Sequence, residues 1–200
     1  MDLFSSEKVI NILPFDGTTN NHGVILSKSD ADFYFKALLE TIPWENDQAI
    51  IFGKIITTKR KVAWFGDSEF SYTYSKITKK AKIWTDELFV LKKIIEKETN
   101  ETYNSCLLNL YHSGDEGMAY HSDGEKMLKK NGAIASVSLG ATRNFSFKHK
   151  KNNQKVAVIL EHGSLLVMKD ETQTHWLHRL PTTKKVTSPR INLTFRTIEL

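Results

Sequence analysis

From about Tyr103 onward the chain is written as short β-type runs broken by Gly, Asn and Lys turns, with no helical periodicity between them. Residues 107–111, 134–139, 144–149, 156–160, 164–168 and 190–198 are such runs. Parallel strands need a crossover helix between them, so this spacing points away from a βαβ fold and toward a sandwich or jelly roll. Helices are expected only in the N-terminal half. One is predicted from a Ser29 cap to Thr41, with Phe33, Phe35 or Ala37, Leu38 and Leu39 on its apolar side. The second starts at Thr85, carries Asp86 and Glu87 in its first turn, and repeats Leu88, Leu91, Ile94 and Ile95 at helical spacing. Between them, residues 50–56 and 70–74 are rich in the β-branched and aromatic residues that strands prefer. Residues 1–24 read as an irregular lead-in. Residues 25–200 read as a single α+β, mainly β, domain with its helices against one outer face.

Composition narrows the class without reaching an activity. Lys+Arg 28 against Asp+Glu 23 gives +5, which tolerates a polyanionic partner without requiring one. The single cysteine, Cys106, excludes an internal disulfide framework and a zinc ribbon. No apolar run approaches the ~18 residues of a membrane span, and residues 1–10 lack the apolar core of a secretion signal. These numbers support a soluble protein of a reducing compartment, with no membrane partner.

The most informative segment is Arg190-Ile191-Asn192-Leu193-Thr194-Phe195-Arg196. In a strand, alternate side chains share a face, so Ile191, Leu193 and Phe195 lie on one side and Arg190, Asn192, Thr194 and Arg196 on the other. The plain reading is an edge strand with a solvated outer face. The alternative turns the polar row into a barrel interior that binds an anion, for which the Arg fork suits a carboxylate better than Lys does. A second constellation is Tyr120-His121-Ser122-Asp123-Gly124-Glu125, where His121 and Asp123 of an extended chain reach one site. A third, Thr174-His175-Trp176-Leu177-His178, adds a distal histidine from another strand. Two His and one carboxylate make the facial triad of a non-haem Fe(II) oxygenase. Such an iron needs an electron-donating co-substrate, and the dicarboxylate 2-oxoglutarate needs a cationic anchor at its far end. Buried structural histidines are the competing reading for each histidine taken alone.

With these pieces in this order, the sequence resembles the AlkB family of Fe(II)- and 2-oxoglutarate-dependent dioxygenases, nearest its duplex-DNA-preferring branch. The resemblance runs from about residue 10 to 198. It is carried by Ile51-Phe52-Gly53-Lys54, Phe65-Gly66-Asp67, Tyr72-Thr73-Tyr74-Ser75, Asn109-Leu110-Tyr111, the His121 to Glu125 segment, Ile134-Ala135-Ser136-Val137-Ser138, His162-Gly163-Ser164-Leu165-Leu166, His175-Trp176-Leu177-His178 and the Arg190 to Arg196 segment. It implies a double-stranded β-helix (jelly roll) core, supporting helices, and a nucleotide-recognition lid of hairpins at about 48–76. It implies that His121, Asp123 and His178 ligate Fe(2+), with His175 a neighbour and not a ligand. Asn109 and Tyr111 would hydrogen-bond 2-oxoglutarate, and Arg190 would pair with its distal carboxylate. Asn192, Thr194 and Arg196 would complete that site. Arg190 and Arg196 are about 20 Å apart along an extended strand at ~3.3 Å per residue, so they belong at opposite ends of it.

The implied reaction uses Fe(2+), 2-oxoglutarate and O2 to hydroxylate an N-methyl group of 1-methyladenine or 3-methylcytosine in DNA. Formaldehyde then leaves, with succinate and CO2 as co-products. On the substrate side, the resemblance implies that Phe52 is a wedge filling the gap of a flipped base, with Gly53 and Lys54 beside it. Tyr72 and Tyr74 stack on the base, Glu125 contacts its exocyclic amino group, and Arg60 grips phosphate together with lysines of nearby loops. The chain departs from its duplex-preferring relatives at Gly124, Tyr74 and Lys59, which bear on substrate choice. Duplex DNA is the expected partner and the monomer the expected state, in the cytoplasm of a bacterial host or the nucleus of a eukaryotic one. RNA or single strands, and a substrate other than nucleic acid, are the alternatives.

Overall fold

The structure is a computed structural model that describes residues 9–51, 54–74 and 77–199, with backbone alone for those among 49–55 and 72–79. In chain order the elements are β1 (Thr18–Val24), α1 (Lys28–Thr41), β2 (Glu45–Ile51), β3 (Lys54–Gly66), β4 (Ser71–Tyr74), β5 (Ile77–Lys80), β6 (Lys82–Ile83) and α2 (Asp86–Thr99). There follow β7 (Ser105–Tyr111), β8 (Met118–His121), β9 (Ile134–Gly140), β10 (Arg143–His149), β11 (Lys155–Leu160), β12 (Ser164–Lys169), α3 (Thr172–His175), β13 (Trp176–Leu180) and β14 (Arg190–Arg196). Two sheets face each other. The larger runs β1-β12-β9-β14-β7-β3-β2, with β6 joined to β3, and the smaller runs β11-β10-β13-β8. This is the double-stranded β-helix, with β4 and β5 as a separate hairpin.

Helix α2 forms where its periodicity places it. Thr85 caps it by accepting the Leu88 N–H, Asp86 and Glu87 complement the positive end, and Leu88, Leu91 and Ile95 are fully buried. Asn100, in the left-handed region, ends it. Helix α1 differs from expectation. Ser27, not Ser29, is the cap, accepting the Asp30 N–H, and the buried face is Ala31, Tyr34 and Leu38, while Phe33 is 61% exposed. The phase is set by what lies beneath: Gly140 of β9 has φ +86°, and a Cβ there would stand 2.6 Å from the Phe35 ring. The helix therefore seats on a backbone that only glycine leaves low enough. Both helices cover the outer face of the larger sheet.

That cover explains β14. It is a central strand between β7 and β9, and both its faces are buried. Ile191, Leu193 and Phe195 lie in the main core under the helices, with Phe195 6.3 Å from Trp84 and 6.1 Å from Tyr103. Truncating Leu193 to Ala there costs about 2–5 kcal/mol. The polar row of the same strand faces the smaller sheet. The solvated-edge reading is thus excluded. Residues 18–24, expected as irregular lead-in, instead form β1, the edge strand of the larger sheet, paired to β12. Their Thr, Asn and Gly residues lack apolar alternation, and the pairing rests on backbone hydrogen bonds that composition does not reveal. No helix among the described residues is long and apolar enough to cross a membrane.

Candidate active site

The space between the sheets is a cavity of about 220 Å³. His121, Asp123, His178, Asn109, Tyr111, Arg190, Asn192, Thr194 and Arg196 all line it, as do Glu125 and Arg60. Strand pairing does the assembling. His178 of β13 lies directly opposite His121 at the end of β8, and their rings are 4.3 Å apart. Asp123 follows two residues later, its N–H donating to Gln173 Oε1 at 2.9 Å. Asp123 Oδ1 is 3.8 Å from His121 Nε2 and 3.9 Å from His178 Nε2. The ligand atoms of the three fall within 4.8 Å of one another. His175 points elsewhere, in a different cluster.

Electrostatics keep His178 and Asp123 in the form that binds a cation. Burial pushes His178 down to about 4, outweighing the pull of Asp123, so the imidazole is neutral at pH 7. Burial also works against the Asp123 carboxylate, but Arg196 and the two histidines outweigh it and hold the group below the usual carboxylate range. His121 Nδ1 donates to the Ala119 carbonyl at 2.8 Å, which leaves its Nε2 lone pair facing the cavity.

Opposite the trio, β14, β7 and β9 pair in register. Arg190 lies across from Tyr111, and Asn192 across from both Asn109 and Ser138. Arg190 is 2% exposed and donates to Ser138 Oγ at 2.8 Å and Asn192 Oδ1 at 2.7 Å, with Tyr111's ring 5.6 Å away. No acid among the described residues lies within 4 Å of it, and its Nε has no partner. Desolvation lowers it to about 10, still charged at neutral pH. Asn192 is held from both sides, also accepting from Ser136 Oγ and donating to Thr194 Oγ1.

Arg60 is placed differently from the expectation of a phosphate contact. It is 8% exposed and turned inward, donating to Asp47 and to Asn109 Oδ1. The β-bulge between Asn46 and Gln48 shifts the register of β2 on β3 beside these residues. A guanidinium only donates, so Arg60 fixes Asn109 with its carbonyl toward β3 and its amide N–H groups free for the cavity. Of the remaining substrate-side residues, Phe52 and Gly53 lie outside the described residues, as do the side chains of Lys54, Tyr72 and Tyr74. Lys150, one of the loop lysines, is engaged internally with Gln173 O at 2.8 Å and Ser122 Oγ at 3.3 Å.

The chain matches the 2OG-Fe(II) oxygenase superfamily over residues 18–196. It belongs to that superfamily. Within it the chain is an AlkB-family member. It is similar to DNA oxidative demethylase ALKBH2 of Homo sapiens, 38% identical over 196 residues that cover 92% of this chain and 75% of that protein. It is also similar to Alpha-ketoglutarate-dependent dioxygenase alkB homolog 3 of Bos taurus, 38% identical over 179 residues, covering 84% and 62% respectively. Among solved structures, OsALKBH1 superposes with a TM-score of 0.63 at 15% identity, over 92% of this chain and 98% of that one, a likeness of fold.

The residues of this AlkB-family site fit the cofactors of the superfamily, Fe(2+), 2-oxoglutarate and O2. A neutral buried imidazole, a second imidazole oriented through its Nδ1–H, and an ionised carboxylate form a donor set for Fe(2+). Arg190 adds a buried cation to the cavity wall with no acid beside it among the described residues, a charge that suits a carboxylate. Ser136 and Ser138, which brace Asn192 and Arg190, are functional residues that the motifs alone did not single out. Their alternation in Ile134-Ala135-Ser136-Val137-Ser138 was the available signal. Phe145, stacked on His178 at 5.5 Å, and Asp47 carried none.

Proposed function

We propose that this chain repairs N-alkylated bases in DNA by oxidative demethylation, with 1-methyladenine and 3-methylcytosine as its lesions. Bound Fe(2+) and 2-oxoglutarate supply the activation of O2 that oxidises the N-methyl group, after which formaldehyde leaves with succinate and CO2 as co-products. The observation that carries the substrate side is Glu125. Its Oε1 accepts from Arg196 at 3.0 Å, while its Oε2 is buried without a donor, in the wall of the cavity that holds His121, Asp123 and His178. A buried carboxylate oxygen without a donor recognises an N–H, and the exocyclic amino group of a methylated adenine or cytosine supplies one.

In this reading the protein's own groups bind and orient. Arg190 pairs with the distal carboxylate of 2-oxoglutarate, and Asn109, Tyr111, Asn192 and Thr194 fix its body. Arg196 holds Asp123 ionised and aligns Glu125. Phe145 and Met118 are apolar walls that exclude water beside the His121–His178 pair. Phe52, Gly53, Lys54, Tyr72 and Tyr74 form the lid that holds the flipped base. Duplex DNA, a monomeric state, and a cytoplasmic or nuclear location according to host complete the proposal. The test is formaldehyde release from 1-methyladenine or 3-methylcytosine placed in duplex DNA, single-stranded DNA and RNA. Highest turnover on the duplex is expected. Preference for RNA or single strands would replace the duplex assignment, and 2-oxoglutarate turnover with none of the three would sink the nucleic-acid reading.

A further inference from the structure

His175, left out of the iron trio, belongs to a second cluster on the far end of the smaller sheet. Asp16, His149 and His175 present ligand atoms within 4.8 Å of one another. His149 is the last residue of β10 and lies opposite Trp176 of β13. Its side chain is 4% exposed, and its Nε2 is buried with no hydrogen-bond partner although Asp16 Oδ2 is only 3.2 Å away. The rings of His149 and His175 stack at 6.3 Å with 19° between planes. Glu171 Oε2 stands 3.6 Å from His175 Nε2, on the solvent side. From these observations the geometry points to a second divalent-cation site, with Asp16, His149 and His175 as ligands and Zn(2+) as the occupant their chemistry suits.

Two imidazoles and a carboxylate are a borderline-soft donor set, and a fourth position stays open to water or Glu171. Around a tetrahedral Zn(2+) with bonds of 2.0–2.1 Å, donors stand about 3.3 Å apart. The Asp16–His149 pair already has that separation, so only His175, partly exposed, has to draw in. The cluster is also held in advance. Asp16 sits at φ +51°, and Gly17 packs on Thr172 so closely that a Cβ would meet its Oγ1 at 2.8 Å. Thr18 N–H donates to Thr172 Oγ1, and Trp176 Nε1 donates to the Phe15 carbonyl at 3.0 Å. These contacts fix the segment before β1 on α3 before any ion arrives. One contact opposes binding. His149 Nδ1 accepts the Asn152 N–H at 3.3 Å, and ligation through Nε2 moves the ring proton to Nδ1. That bond is at the outer edge of hydrogen-bond range, and the 150–153 turn must release it.

The cation would staple the segment before β1 to the end of β10 and to α3, which leads directly into the strand that carries His178. The test is metal stoichiometry of the full chain, by titrating chelator-treated protein with Zn(2+) and with Co(2+), whose visible spectrum reports imidazole ligation. Wild type is expected to take up a second equivalent beyond the one at His121, Asp123 and His178. Asp16→Ala and His175→Ala are expected to take up one, and Asp123→Ala to keep the one that Asp16→Ala loses. Asp16 and His175 are exposed enough for these variants to fold, and circular dichroism checks it. A single equivalent in wild type that disappears in Asp123→Ala overturns the second site and leaves the catalytic centre standing. Two equivalents retained in both Asp16→Ala and His175→Ala overturn the ligand assignment.

Discussion

Arg190 and Arg196 are the two ends of one strand, on one face, in one cavity, and both are buried. Their surroundings are opposite. Arg196 meets Glu125 at 3.0 Å and Asp123 at 3.8 Å, and these acids outweigh burial and raise it. Among the described residues Arg190 meets Ser138, Asn192 and the Tyr111 ring and no acid, and burial lowers it. A buried cation with its acids present is a completed part of the protein. A buried cation without one costs stability that an arriving carboxylate offsets. The difference separates an arginine whose charge is already met within the protein from one whose buried charge stays open to an arriving anion.

The largest effect tests the completed end. Asp123→Ala removes both a ligand and the nearest charge to His178, and formaldehyde release should fall on the order of a thousandfold or more, as for groups that act as a unit. Retained turnover would sink the ligand assignment. Next comes the open end. Arg190→Met should raise the KM for 2-oxoglutarate about a hundredfold or more, since breaking a buried ion pair is worth about 3–5 kcal/mol. Co-substrate decarboxylation kinetics read this directly, and an unchanged KM would mean the dicarboxylate is anchored elsewhere.

Stability should separate the two arginines in the ligand-free chain. Arg196→Met leaves the buried Asp123 carboxylate and the partly exposed Glu125 without their shared counter-charge, and should cost about 3–5 kcal/mol. For a chain of this size that is a fall in Tm of roughly 6–20 °C. Arg190→Met removes a buried charge that has no acid, and its Tm should not fall. Equal losses in thermal melts of the two variants would erase the distinction. Adding 2-oxoglutarate with a divalent ion at about a hundred times its Kd should stabilise wild type by about 2.7 kcal/mol and Arg190→Met hardly at all.

The alternation of Arg190 to Arg196 was legible in the sequence because a strand has one period, and so were the α2 cap and the His121/Asp123 pair. What decides between a solvated face and a site is whether a second sheet covers the polar row, and that is a property of β8, β10 and β13, which the alternation within β14 does not show. Arg60 shows the same limit. Next to Lys59 and Lys61 it reads as one more loop cation, yet a bulge in the neighbouring strand and Asp47 turn it inward onto Asn109. The α1 cap was misplaced by two residues because Ser27 and Ser29 are chemically alike, and only the seat over Gly140 distinguishes them. His149 gave no signal at all, since its partners come from a lead-in and from the end of a four-residue helix.

The finest test of the comparison is Glu125→Gln. Glutamine has the same shape, and its carbonyl still accepts from Arg196, so the strand end stays assembled. It loses the charge and replaces the oxygen that has no donor with an N–H2 group. An amino group on the substrate base then meets a donor where it met an acceptor, and a charge-assisted hydrogen bond worth about 1.5–3 kcal/mol is lost. The expected result is a fall of about tenfold or more in kcat/KM for the methylated base, with the KM for 2-oxoglutarate and its slow turnover without DNA unchanged. If both readouts fall together, Glu125 acts through Arg196 and Asp123 on the metal end, and the two functions of that end are one. If neither falls, the amino group is recognised by another residue, and the acids around Arg196 serve only to hold it.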